Sequence, residues 1–293
     1  MITVIIPTKG ITEILEKILY LLNFQTIDGF HVIVVNTSDS SHKNFKINSK
    51  YILKVVEIKS GGTKSIARNL GLYLSQTDYV LFIDADMIPH PGLIEQHLKF
   101  LKFGYFVVGL ELRTKKEEEY LKTLKNIEKI KNPKELMELF SYKFSNRSRR
   151  NLKLRELEWY KFLTGNLSGK RECFIKAGMF NTSFISYGFE DIELGYRVNK
   201  MGGKILFNPH AVTIHLHPLS TERRIQNKKE SVTNLMKFYQ TYGNKKILEK
   251  LGINMFSRLI YDFIPKSVRM FLEKTNEDYK TNYYFWKEWN IKN

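Results

Sequence analysis

The 293-residue sequence predicts an α/β fold built on a central, mostly parallel sheet flanked by helices. Three observations lead there. Short apolar runs bounded by turn residues recur along the first 112 residues, as the buried strands of a parallel sheet do. Helix-spaced segments alternate with them, which implies parallel pairing through right-handed crossovers. The apolar runs also close on polar or acidic residues, at the strand ends where such sheets bind ligands.

Ile2-Thr3-Val4-Ile5-Ile6 reads as a first strand stopped by Pro7-Thr8-Lys9-Gly10, and Ile14, Leu15, Ile18, Leu21 and Leu22 share a helical face over residues 11–23. His31-Val32-Ile33-Val34-Val35 is a second strand. The polar stretch after it, Asn36-Thr37-Ser38-Asp39-Ser40-Ser41, is either an ordinary Asx- and Ser-rich turn or a ligand loop. A third strand over 53–58 leads through Lys59-Ser60-Gly61-Gly62 into a helix on which Lys64 and Arg68, four apart, share a face. Glycines ahead of a helix start leave backbone amides open to an anion, so a phosphate would suit this loop.

The run Tyr79-Val80-Leu81-Phe82-Ile83 ends in Asp84-Ala85-Asp86. If the strand continues through them, the two aspartates project to one side and offer hard oxygen ligands to Mg²⁺ or Mn²⁺. The alternative is the start of a loop, because Met87-Ile88-Pro89-His90-Pro91 opens a turn or helix. A helix over 91–103 and a strand over 106–112 complete this half.

Residues 113–158 turn charged and helical, an insertion of solvated helices with a basic loop at Arg147-Ser148-Arg149-Arg150 that could serve as a movable lid. Strand character returns over 159–168, with a short helix over 171–177. Gly188 allows a tight turn before Glu190 and Asp191, which stand at a helix start where the dipole favours carboxylates, either as a plain acidic cap or as a functional pair. Gly202-Gly203 ends that helix. Two short strands follow over 204–209 and 211–217, and His215 and His217 fall on one face of the second, as structural residues or as ligands for Mn²⁺ or Zn²⁺. Residues 220–293 read as a helical, basic and aromatic extension, suited to peripheral contact with anionic lipid or to packing on the core.

Lys+Arg of 47 against Asp+Glu of 30 gives a net charge of +17, which favours an anionic partner and is also what lysine-rich composition produces. Cys173 is the single cysteine, so no intrachain disulfide forms and a cytoplasmic setting is expected. The apolar start lacks the basic residues and length of a signal peptide. No run reaches the roughly 18 apolar residues of a membrane span.

The ordered set Val4-Ile5-Ile6-Pro7-Thr8, the second strand into Asn36 and Asp39, Ala67-Arg68-Asn69-Leu70-Gly71, Asp84-Ala85-Asp86 and Tyr187-Gly188-Phe189-Glu190-Asp191 resembles the GT-A nucleotide-sugar glycosyltransferases, specifically the inverting family-2 type, over roughly residues 1–217. The Gly188-Phe189-Glu190-Asp191 stretch is also similar to the acceptor-side motif of β-1,4-galactosyltransferases and chondroitin-type polymerases. The resemblance implies a GT-A, Rossmann-like catalytic domain over 1–219, comprising a nucleotide-sugar half (1–112), the insertion (113–158) and an acceptor half (159–219). It implies an Mn²⁺- or Mg²⁺-dependent enzyme that moves a sugar from a nucleotide-diphosphate sugar, a UDP-sugar by preference, to a glycan, lipid-linked or peptide acceptor, with inversion by single displacement.

By the same resemblance Pro7, Thr8 and Asp39 border the base and ribose, with Asn36 and Ala85 in the same site, while Lys64 and Arg68 face the nucleotide. Asp84 binds ribose or supports the metal, Asp86 ligates it, and His215 or His217 completes the metal shell. Asp191 is the general base, Glu190 holds the acceptor, and Trp159, Gly165, Asn166, Gly188 and Phe189 line the acceptor side. Asn36 departs from the pattern, since many relatives are acidic there. Two rival readings keep part of this: a sugar nucleotidyltransferase, for which Pro7-Thr8-Lys9-Gly10 is a poor triphosphate loop, and a non-catalytic basic module, which leaves both carboxylate pairs unexplained. No nucleic-acid partner is expected of the enzyme.

Overall fold

The structure, a computed structural model, describes residues 1–38, 49–58, 62–114, 116–145, 152–216, 221–243 and 245–251. Its elements are β1 (Ile2–Thr8), α1 (Glu13–Leu22), β2 (His31–Asn36), β3 (Ile52–Glu57), α2 (Lys64–Leu74), β4 (Tyr79–Ile83), β5 (Met87–Pro89), α3 (Leu93–Leu101), β6 (Phe106–Arg113), α4 (Glu117–Lys129), α5 (Pro133–Ser145), β7 (Arg155–Leu157), a 3₁₀ turn (Trp159–Lys161), β8 (Asn166–Lys170), α6 (Arg171–Lys176), α7 (Glu190–Lys200), β9 (Ile205–His215), α8 (Thr221–Tyr242) and α9 (Lys245–Lys250). Two compact units divide the chain: residues 1–180 with 194–218, and residues 181–193 with 219–293.

The first unit holds a sheet in the order β3-β2-β1-β4-β8-β6-β9-β5, with β7 also on β9. β3, β2, β1 and β4 are all parallel. β8 runs against both β4 and β6, and β6 is parallel to β9. Both faces of β1, β2 and β4 are covered, which is why these strands read as unbroken apolar runs, whereas β3 at the border is largely exposed. Val4, Ile6, Val32, Val34, Leu81 and Ile83 meet Leu15, Leu19 and Leu22 of α1 and Leu93, Ile94 and Leu101 of α3. On the opposite face Ile33 and Val35 pack on Ala67 of α2. Thr12 and Thr63 start α1 and α2 by accepting the amides of Leu15 and Ile66. Pro7 is tolerated in a central strand because the β1–β4 ladder ends at Ile5, so its missing N–H faces no β4 partner.

Several expectations are corrected. Met87–Pro89, expected as a turn or helix, is a short strand on β9 at the sheet's border, where a proline costs no interior hydrogen bond. The two strands expected over 204–217 are one strand, β9, whose register against β6 jumps from Asn208 to Val212 around Pro209. Trp159–Lys161 is a 3₁₀ turn and strand structure starts only at Asn166. The helices of the insertion are not solvated all round: Ile127, Leu136, Leu139 and Phe140 of α4 and α5 are buried against Leu110 and Leu112 of β6 and Val212 and Ile214 of β9, while the basic loop at Arg147-Ser148-Arg149-Arg150 lies outside the described residues. Fully burying side chains of this kind is worth roughly 1.5–3 kcal/mol each, enough to hold the pair of helices down.

In the second unit, Val232, Leu235, Met236 and Leu248 from α8 and α9 form a small core with Phe189, Tyr239 and Leu251. Among the described residues no helix is long and apolar enough to cross a membrane. The aromatic and basic stretch Tyr283-Tyr284-Phe285-Trp286-Lys287, expected to contact anionic lipid or to pack on the core, lies outside the described residues.

α2 lies so close to β1 that a Cβ built on Gly71 would stand 2.4 Å from Ile5 Cγ2. Gly71→Val should therefore lower stability by about 1–3 kcal/mol through overpacking, although it removes a flexible glycine from a helix. Urea denaturation midpoints compare the two proteins, and a more stable variant would contradict this packing.

Candidate functional site

β4 ends at Ile83, and the two aspartates that follow sit in a turn closed by the Met87 amide on the Asp84 carbonyl at 3.1 Å. The period-two argument that placed them on one face of an extended chain therefore does not apply. They have different surroundings and different work. Asp84 is held by two cations from one face of α2: Lys64 Nζ donates to Oδ2 at 3.0 Å and Arg68 Nη2 to Oδ1 at 3.1 Å. Arg68 is 2% exposed and its guanidinium also lies over the Phe180 ring. Burial raises the Asp84 pKa, but Lys64 and Arg68 outweigh it and hold this carboxyl well below the usual carboxylate range. The Lys64 and Arg68 charges, expected to face a nucleotide, are engaged by Asp84. Asp84, expected to bind ribose or support the metal, carries this ion pair with both of them.

Asp86 is the more open carboxylate, with 38% of its side chain exposed. Its backbone carbonyl accepts the Leu216 amide at 2.9 Å, which sets it against the end of β9, and its Oδ2 lies 3.3 Å from His215 Nε2. Glu111 Oε2 stands 4.0 Å from the other ring nitrogen and accepts from Arg113 Nη2 at 2.9 Å. Gly165 borders the group: a Cβ there would meet Glu111 Oε1 at 2.7 Å and Met87 Cε at 2.8 Å. Glu111 escaped the sequence reading, although one acid inside Val107-Val108-Gly109-Leu110-Glu111-Leu112 was a signal in that apolar strand. Among the described residues, no three His, Cys, Asp or Glu side chains converge as a ready metal site. A carboxylate and an imidazole side by side fit Mn²⁺ or Mg²⁺ where a bound molecule and water supply the remaining oxygens.

The other expected residues separate into surface and support. Asn36 is fully buried, and its Oδ1 accepts the amides of Gly10 at 2.7 Å and Ser38 at 3.1 Å, tying together the loops after β1 and β2. It shapes that end of the sheet by joining the two loops. Thr8 is half-buried and donates to the Gly10 carbonyl at 2.6 Å, Pro7 is buried, and Ala85 is half-buried beside the core.

Asn166, assigned to the acceptor, is also fully buried. Its Nδ2 donates to the Ala211 carbonyl at 2.9 Å, which turns Oδ1 toward His97 Nε2 at 2.7 Å. His97 Nε2 then carries the proton, and Nδ1 accepts from Ser168 Oγ at 2.7 Å. Burial lowers the His97 pKa to about 4, so this network across β8 is neutral at physiological pH. Trp159 is buried edge-on to Tyr160 and Tyr196. Asp39 and His217 lie outside the described residues.

In the second unit, Gly188 (φ +79°) and Phe189 (φ +68°) form a left-handed turn that delivers Glu190 and Asp191 to the first turn of α7. Glu190 is 8% exposed. Asp191 is half-buried, and its Oδ1 accepts the Ile192 amide at 2.8 Å. Both acids sit in the first turn of α7.

With this geometry described, comparison with known proteins is direct. The family profile described as Glycosyl transferase family 2 matches residues 3–171, and that described as N-terminal domain of galactosyltransferase matches residues 148–219. Chondroitin synthase of Escherichia coli is 27% identical over 244 residues, covering 75% of this chain and 35% of that protein, so the chain spans about a third of that relative's length. Among solved structures, a mannosyltransferase from Pyrobaculum calidifontis in complex with GDP-Man and Mn²⁺ superimposes with TM-score 0.54 at 18% identity, over 82% of this chain and 64% of that one. S. aureus TarS 1–349 in complex with UDP gives 0.53 at 14% identity, over 100% and 92%. At such identities the likeness establishes the fold, a GT-A arrangement of one mixed, mostly parallel sheet. With a profile match over more than half its length, the chain belongs to glycosyl transferase family 2.

Proposed function

We propose that this chain transfers a sugar from a nucleotide-diphosphate sugar to an acceptor nucleophile by metal-dependent single displacement with inversion. The observation that carries the proposal is the Asp86–His215 pair at the ends of β4 and β9, beside the cationic face of α2. Asp86 and His215 would hold Mn²⁺ or Mg²⁺, which when bound neutralises the charge of the departing diphosphate. Two protein ligands leave most of the ion's positions to phosphate oxygens and water, so ion and nucleotide should bind together. The nucleotide and Mn²⁺ in the solved relatives support the same reading.

Asp84 keeps Lys64 and Arg68 gathered at the donor side, where cations stabilise a phosphate leaving group. Thr8 and the loops ordered by Asn36 would border the base and ribose. Asp191 would take the proton of the incoming nucleophile and Glu190 would hold the acceptor, as the likeness of 187–191 to the galactosyltransferase and chondroitin-polymerase motif supports. A UDP-sugar donor and a glycan acceptor are the choices the relatives' names favour, with lipid-linked and peptide acceptors as the alternatives. From an α-configured donor the product should be β-linked, which NMR of the product checks.

Three outcomes test these assignments. UDP should raise the melting temperature only when Mn²⁺ or Mg²⁺ is present, and Asp86→Asn should weaken that binding at least about tenfold, about 1.4 kcal/mol. An equal UDP shift in excess chelator would remove the metal from the reading. Asp191→Asn should lower kcat by about 10²–10⁴-fold while UDP affinity stays at the wild-type value; calorimetry and product release measure the two separately.

Asp84 has a folded pKa below its unfolded value, so its contribution is fully present above the unfolded pKa near 4 and is lost as the pH falls through the folded one. Asp84→Asn should thus cost about 3 kcal/mol at pH 7, because Arg68 stays buried beside a neutral group. The gap between variant and wild type should close in urea titrations carried out progressively below about pH 4.

A further inference from the structure

The turn that presents Glu190 and Asp191 has an unusual build. Two successive residues, Gly188 and Phe189, have positive φ, and Phe189 is not a glycine. A side-chain-bearing residue in this conformation costs roughly 1–2 kcal/mol, so it persists only where its surroundings impose it. The Phe189 carbonyl nevertheless accepts the Glu193 amide at 2.9 Å, so the direction in which α7 begins, and with it the acid pair, depends on this turn.

The imposing contacts come from one helix, α8. Asn234 is 1% exposed, and its Nδ2 donates to the carbonyls of Ser186 at 2.8 Å and Gly188 at 2.7 Å, bracketing the turn from both sides. Because both partners are carbonyl oxygens, only the nitrogen end of the amide can face them. Three residues before, Ser231 Cβ lies 3.5 Å from where a Gly188 Cβ would be. Three residues after, Lys237 Nζ donates to the Ser183 carbonyl at 2.8 Å. Further along, the Tyr242 hydroxyl bonds Glu193 Oε1 at 2.5 Å, and Glu193 is 1% exposed. The Phe189 ring packs against the Val232, Leu235, Met236 and Leu248 core. Positions 231, 234 and 237 share a helix face, so one rigid element holds the segment from Ser183 to Glu193.

We propose that Asn234 is a positioning residue for the Glu190–Asp191 pair, and that α8, which reads in the sequence as an appended extension, is part of the acceptor-side machinery. This rests on the reading of Asp191 as general base. Asn234 touches no reacting atom in this proposal; it fixes the turn from which the base projects. Misplacing such a group by an ångström can cost about 10²-fold in rate.

Asn234→Asp tests it, since the shape is kept while both N–H donors are lost and a charge is set against two carbonyls. Hydrogen exchange across residues 186–193 should quicken at least about tenfold while β1 and β4 exchange as in wild type. In UDP release from UDP-sugars with Mn²⁺ and water as acceptor, kcat should fall about 10–100-fold with the donor KM within about twofold. In an Asp191→Asn background, adding Asn234→Asp should lower kcat by less than about twofold, because the two act through one group.

Wild-type exchange in 186–193, or losses that multiply in the double variant, overturn the proposal. If Asp191→Asn keeps the wild-type rate, the base reading fails by itself, and the exchange result still decides whether Asn234 holds the turn. Should Asn234→Asp not fold, Lys237→Met decides. It removes a half-buried bond to the same segment and should quicken exchange over 183–193 at unchanged UDP affinity, and unchanged exchange would overturn the proposal.

Discussion

The ion pair between buried Arg68 and Asp84 is the constraint on which the turn after β4 depends. A guanidinium 2% exposed needs a compensating charge, and the residue just past the end of β4 supplies it. This ties α2 to the turn that carries Asp86, while Gly71 lets the same helix lie against Ile5 of β1. Asn69 adds a reciprocal pair of hydrogen bonds with the backbone of Phe180 at 2.8 and 2.9 Å, and the Leu72 carbonyl accepts from Arg171 at 2.8 Å. Within Ala67-Arg68-Asn69-Leu70-Gly71, Ala67 and Leu70 thus pack on Ile33 and Val35, while Arg68, Asn69 and Gly71 meet Asp84, Phe180 and Ile5. The motif is a packing hub whose functional product is a fixed position for the β4 turn.

The two aspartates of Asp84-Ala85-Asp86 divide their labour through this arrangement. Asp84 is internal to the scaffold, with its charge spent on α2. Asp86 remains open beside His215, where a divalent ion would be shared with a ligand. Glu111 Oε2 stands 4.0 Å from the other nitrogen of that imidazole, close to the ring but beyond hydrogen-bond distance.

Much of the fold was legible because burial on both faces leaves an unmistakable mark. β1, β2 and β4 are unbroken apolar runs, and the β1-α1-β2 order implies the parallel pairing found. The antiparallel β8 was not legible, since its partners β4 and β6 are separated from it by the α4–α5 insertion and nothing local encodes direction. The three-residue strands β5 and β7 are too short for a period to show. At the site, residue types named the chemistry but not the burial. Asn36 and Asn166 entered the site through the family resemblance, and nothing in the sequence told that both are fully buried and bonded to backbone amides, a carbonyl and a buried imidazole. Asn234 had no motif around it at all, because its role exists only once α8 meets the turn at Gly188.

The short strands on β9 have a further consequence. A long sheet exposes unpaired backbone groups at its borders, and these can recruit a strand from another molecule. Here one border is broken into β7 and β5, three residues each, and β5 ends at Pro89, whose nitrogen has no hydrogen to offer. The opposite border, β3, exposes Lys54 and Glu57 beside Ile52 and Val55. Resistance to edge-to-edge aggregation is therefore unequal: geometry enforces it on one flank, while on the other it rests on charge and so weakens as salt rises.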